Sequence, residues 1–157
     1  MTLRLWSHLV QVTTSLDGPG PVELFAATPV GGGDPVLIVE AYDGDVVVAA
    51  GELAVWDLNQ ALAALMSDTS QARRLALRDD GRGVPGWVDL VRSEAGVDVH
   101  ATSGDGARRA TYGATIDGLS ADLNAVLHQF LALRGRATIV LPDAQESARA
   151  ALMRPAP

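Results

Sequence analysis

The sequence predicts an α+β fold built from an internally duplicated ββββα unit. Two antiparallel sheets carry packed helices, and a further helix follows at the C-terminal end. Three observations point there. Asp-Leu-Asn followed by helical apolar spacing occurs twice, from Asp57 to Met66 and from Asp122 to Leu131. Leu58, Ala61, Leu62, Leu65 and Met66 match Leu123, Val126, Leu127, Phe130 and Leu131, each 65 residues on. Those positions follow the i, i+3, i+4, i+7 rhythm of an amphipathic helix. Upstream, Gly20-Pro-Val-Glu-Leu24 parallels Gly86-Trp-Val-Asp-Leu90. Tyr42-Asp-Gly-Asp45 parallels Gly104-Asp-Gly-Ala107, each an Asp-Gly hairpin signal between extended segments.

The elements follow in order. In the first unit, residues 1–68, strands are expected at Leu3–Thr13, Val22–Ala27, Pro35–Tyr42 and Asp45–Glu52, with a helix at Val55–Ser67. Val36-Leu-Ile-Val39 and Val46-Val-Val-Ala49 are continuous apolar runs, typical of strands covered on both faces. In the second unit, residues 69–134, strands are expected at Arg74–Arg78, Trp87–Ser93, Val97–Thr102 and Ala107–Thr115. The helix is placed at Ala121–Arg134 with Ser120 as its cap. The tail, 135–157, offers a short strand at Thr138–Leu141. Asp143-Ala-Gln-Glu146 then forms a capping box that opens a helix to Met153. The whole is read as one domain of 157 residues, 1–157.

Composition excludes several classes of chemistry. Cysteine is absent, which removes disulfides, Cys-ligated zinc and thiol catalysis. All 12 basic residues are arginine, so no lysine serves a Schiff base or a phosphate loop. The Arg, Ala, Gly and Val bias is that of high-GC bacterial coding. The net charge of −7 argues against binding nucleic acid by phosphate neutralisation. No apolar run approaches the ~18 residues of a membrane span. No signal-peptide pattern opens the chain, so a cytoplasmic protein without membrane insertion is expected.

Asp34-Pro35 in the third strand and Val55-Trp-Asp-Leu58 entering the helix form part of a wider pattern. So do Ser103-Gly-Asp-Gly106 and the helix ending in Phe130-Leu131. Over residues 20–135 this pattern resembles the Whirly-type duplicated fold and, within it, the SsgA-like proteins. Those are small actinomycete regulators of sporulation and cell division. The family's Arg before Asp-Leu is Trp56 here, and the stretch from hairpin to second helix is longer. The resemblance implies a non-enzymatic adaptor that binds division-related proteins. Whirly relatives that hold single strands use basic faces, so nucleic-acid binding is not carried over.

No arrangement of residues points to catalysis, a cofactor or a metal. His8, His100 and His128 lack partners at metal-ligand spacing. Gly31-Gly-Gly33 leads into Asp34-Pro35 and a strand, not into a phosphate-binding helix. Asp43 with Asp45, and Asp79 with Asp80, read as solvated turn tips. Arg73-Arg74 and Arg108-Arg109 read as partners of nearby acids.

Charge is what separates the copies. Residues 1–68 hold one arginine and nine acids, whereas residues 69–134 hold eight of each. A field of one sign speeds encounter with a partner of the other. The expected function is therefore a non-catalytic acidic protein-interaction module for a partner with a basic face. The docking residues are expected to be Glu40, Asp43, Asp45, Glu52 and Asp57. Two alternatives stay open: an immunity protein covering a basic toxin surface, and a small-ligand binder or enzyme with a pocket between sheets and helices. Oligomeric state also stays open, a homo-oligomer included.

Overall fold

The structure is a computed structural model and describes residues 6–30, 34–67, 71–80, 83, 85–94 and 96–135. The tail elements expected from Thr138 onward, the Gly31–Gly33 loop and the side chain of His8 lie outside those residues. Ten elements run β1 (Trp6–Thr13), β2 (Val22–Pro29), β3 (Val36–Asp43), β4 (Val46–Leu53), α1 (Val55–Met66), β5 (Ala72–Ala76), β6 (Gly86–Ser93), β7 (Gly96–Ser103), β8 (Arg109–Ala114) and α2 (Ile116–Gly135). They form two four-stranded antiparallel meanders, β1-β2-β3-β4 and β5-β6-β7-β8. This is the duplicated ββββα layout of an α+β fold.

The pairing registers show how the copies correspond. Thr13 lies opposite Glu23 in the first sheet, and Arg74 opposite Asp89 in the second. Two bridges join the sheets, Asp17 with Gly113 and Glu52 with Arg78. Each bridge is the other with the copies exchanged, because the same step of 61 residues takes Asp17 to Arg78 and Glu52 to Gly113. The helices exchange in the same way. α2 packs on β1 and β2, and α1 reaches β5. The result is a pseudo-twofold relation.

That step corrects the helix alignment. The helices begin at Val55 and Ile116, also 61 apart, so Leu58, Leu62 and Leu65 correspond to Leu119, Leu123 and Val126. All six are buried. The Asp-Leu-Asn match at 65 is one helical turn out of step. A slip of four residues keeps nearly the same helix face, because the period is 3.6. α2 starts five residues before the expected Ala121, and its cap is Thr115, not Ser120. Thr115 Oγ1 accepts the Gly118 N–H at 2.9 Å, the bond of an N-cap side chain.

One core cluster draws on both sheets and both helices. It holds Leu24, Leu37, Val39, Leu62, Leu65, Leu90, Val99, Tyr112, Val126 and Phe130 among others. Of the matched helix positions, Leu58, Leu62, Leu65, Leu123 and Phe130 are buried, while Leu127 is only partly so. Met66 and Leu131, matched as apolar in the sequence, are both exposed, because each sits past the buried stripe of its helix.

The sheets differ on their outer faces. In β3, neighbouring residues Leu37 and Ile38 are both fully buried, as the continuous apolar run predicts. Trp6, Phe25, Ala27 and Ile38 form a second cluster on the outer side of the first sheet. In β6 burial alternates, with Val88 and Leu90 inside and Trp87, Asp89 and Val91 half-exposed. The second sheet therefore has one open, polar face.

Candidate interaction surfaces

The five expected docking residues fall in three places. Asp43 and Asp45 are exposed beside Gly44, whose φ of +59° suits the tight turn between β3 and β4. Strand rise puts that turn roughly 25 Å from the far end of β4, where Glu52 and Asp57 lie. Glu40 and Glu52 are buried, at 5% and 3% exposure, and cannot meet a partner from outside. They sit among the apolar residues of the outer face of the first sheet. Glu52 lies opposite Ile38, and Glu40 opposite Ala50. The Tyr42 hydroxyl donates to Glu40 Oε1 at 2.5 Å. Asp57 stands alone in the first turn of α1, where the helix dipole favours a negative charge.

The acidic turn is anchored. The N–H groups of Tyr42 and Gly44 donate to the carbonyls of Pro21 and Pro19, both at 3.0 Å. Gly20 permits that approach, because a Cβ there would stand 2.6 Å from the Tyr42 carbonyl. From the second unit, Tyr112 donates its hydroxyl to the same carbonyl. Burial, with Asp43 close by, pushes the Tyr112 hydroxyl up to about 12. The second unit's equivalent turn has a different character. The Ser103 hydroxyl and the Ala107 N–H both donate to Asp105, holding its carboxyl below the usual range. Arg108 and Arg109 follow, both exposed.

A groove of about 260 Å³ runs between α1 and β5, with Asp57, Gln60, Ala61, Arg73, Leu75 and Ala76 among its walls. A shallower recess of about 480 Å³ lies on the open face of the second sheet. There the Arg74 guanidinium forms a two-pronged pair with Asp89, at 2.8 and 3.0 Å. It also stacks 4.9 Å from the Trp87 ring centre. His100 Nδ1 and Thr111 Oγ1 share a hydrogen bond of 2.9 Å. One cavity between the sheets, lined by Leu24, Val39, Leu90 and Val99 among others, holds about 40 Å³ and is apolar, small beside the ~300–1,000 Å³ of a typical ligand pocket.

Asp80 departs from the expected solvated tip. It is buried, while neighbouring Asp79 is exposed and accepts the Gly83 N–H at 2.9 Å. Among the described residues, no three or more His or acidic side chains gather where they could hold a metal. Nor is any helix among them long and apolar enough to cross a membrane.

Fold and surfaces together define an α+β protein of two ββββα copies whose exposed faces differ in charge. No family model matches the chain, nor does any curated protein or solved structure.

Proposed function

We propose that the chain is a non-catalytic protein-interaction module of the kind expected of an SsgA-like regulator, docking a partner with a basic face on the acidic turn between β3 and β4. One observation carries this reading. The two copies share a backbone plan, yet the turn of the first presents exposed Asp43 and Asp45 while the turn of the second runs into exposed Arg108 and Arg109. The first turn is also held in place by three hydrogen bonds to its backbone, so its carboxylates are presented with little ordering left to do. The docking set narrows to Asp43 and Asp45. The test is partner capture with the full chain, followed by association rates for charge-reversed variants at two salt concentrations.

A further inference from the structure

The pseudo-twofold allows one half to report what the other lacks. Just past β1 the pair Thr14–Val22 is hydrogen-bonded, so alternate residues, Ser15 among them, point their N–H away from β2. At the two ends of β5 the flanking pairs Gln71–Arg92 and Leu77–Gly86 are hydrogen-bonded. Arg74 and Ala76 therefore turn their backbone groups outward, away from β6. Sixty-one residues separate Ser15 from Ala76, and likewise Ala61 from Asp122, so these are equivalent positions. In the first half Asp122 of α2 closes the edge. Its Oδ2 accepts from the Ser15 N–H and the Ser15 hydroxyl, both at 2.9 Å. In the second half α1 presents Ala61 there. Among the described residues, no acceptor meets the Ala76 N–H, and the 260 Å³ groove lies between them.

We infer that this groove takes an extended acidic segment of a partner protein, which adds to the edge of β5 at Arg74 and Ala76 and sets a carboxylate on the Ala76 N–H. Two features fit that occupant. The edge offers backbone donors and acceptors at Arg74 and Ala76, as strand addition requires. Beneath it Leu53, Ala61 and Leu75 are already buried in the core, so the contact is with the strand edge and the exposed rim. The exposed Arg73 guanidinium stands on the rim to receive a carboxylate. Asp122 shows the chemistry that satisfies this edge, since it does so one copy away. This surface is separate from the acidic turn, and either can fail without the other.

The experiment uses the full chain, isotope-labelled for amide NMR. The probes are an acetylated Val-Glu-Val-Glu-Val amide and its counterpart with both Glu replaced by Gln. The Glu peptide should shift the Arg74 and Ala76 amides and slow their hydrogen exchange. It should bind about tenfold more tightly than the Gln peptide, the worth of a charged acceptor. Ala61→Asp installs the missing carboxylate and should weaken binding about tenfold in a folded chain. If that variant does not fold, Arg73→Glu serves instead and should abolish the preference for Glu over Gln. Unmoved β5 amides, equal binding of the two peptides, or undiminished binding by folded Ala61→Asp would each overturn the inference.

Discussion

Ser15 and Asp122, 107 residues apart, meet through two hydrogen bonds to one carboxylate oxygen, and this contact ties the chain just past β1 to α2. Asp122→Ala removes both. The expected cost is about 1–2 kcal/mol, since the acceptor is charged but the contact is solvent-exposed. Amide exchange at Ser15 should quicken, while exchange at Val22 and Leu24 should follow only the global loss. Native-state hydrogen exchange with a denaturant titration checks both.

Phe130 is 2% exposed on α2 and anchors that helix in the shared core. Phe130→Ala should cost about 3–5 kcal/mol in chemical denaturation. Next to it, Leu131 is 65% exposed, and Leu131→Ala should stay within about 0.5 kcal/mol. Equal effects would contradict the helix phase.

Tyr112 makes stability depend on alkaline pH. Its hydroxyl titrates near 12 in the folded chain, above the usual 10, so the unfolded chain loses this proton first. The contribution is complete below pH ~10 and is lost as pH rises towards 12, by about 2–3 kcal/mol in all. Urea unfolding at stepped pH should show that loss, and Tyr112→Phe should remove it.

Two glycines should respond very unequally to one methyl group. A Cβ on Gly86 would stand 2.1 Å from the Thr102 carbonyl oxygen, so Gly86→Ala must push β6 and β7 apart. A loss above about 3 kcal/mol, or failure to fold, is expected. Gly106 has φ +74° and open space around it, so Gly106→Ala carries only backbone strain of about 1–2 kcal/mol. Thermal unfolding of the two variants compares them directly.

Local pattern made the fold legible, and long-range contact hid much of the surface. Continuous apolar runs in β3 and β4 announced a doubly covered sheet, whereas the open face of the second sheet emerged only from the burial along β6. The Asp-Gly signals placed the hairpins because their turn chemistry is local. The helix register was lost because a helix slipped by one turn shows almost the same face, so Asp57-Leu58-Asn59 and Asp122-Leu123-Asn124 align well in sequence without being equivalent. With the correct step, Asp122 falls against Ala61 and the groove beside β5 becomes visible. The acidic patch failed as a unit for a different reason. Glu40 and Glu52 alternate onto the outer face of a sheet that is itself buried, and no sequence pattern marks a glutamate that is covered. Asp43 and Asp45 stayed outside because a tight turn exposes its tip.

The most direct test of the acidic turn is the association rate of a captured basic partner with the double variant Asp43→Arg, Asp45→Arg, measured at low and at near-physiological salt. The comparison is Asp98→Arg on the open face of the second sheet, where a half-exposed carboxylate can be reversed without touching the turn. If the turn is the docking face, the double variant should associate about tenfold more slowly at low salt and lose most of its salt dependence. Asp98→Arg should change the rate less than about twofold. Equal slowing by both, or no slowing by the double variant, would contradict the account and leave the acidity of the first half as a solvated surface.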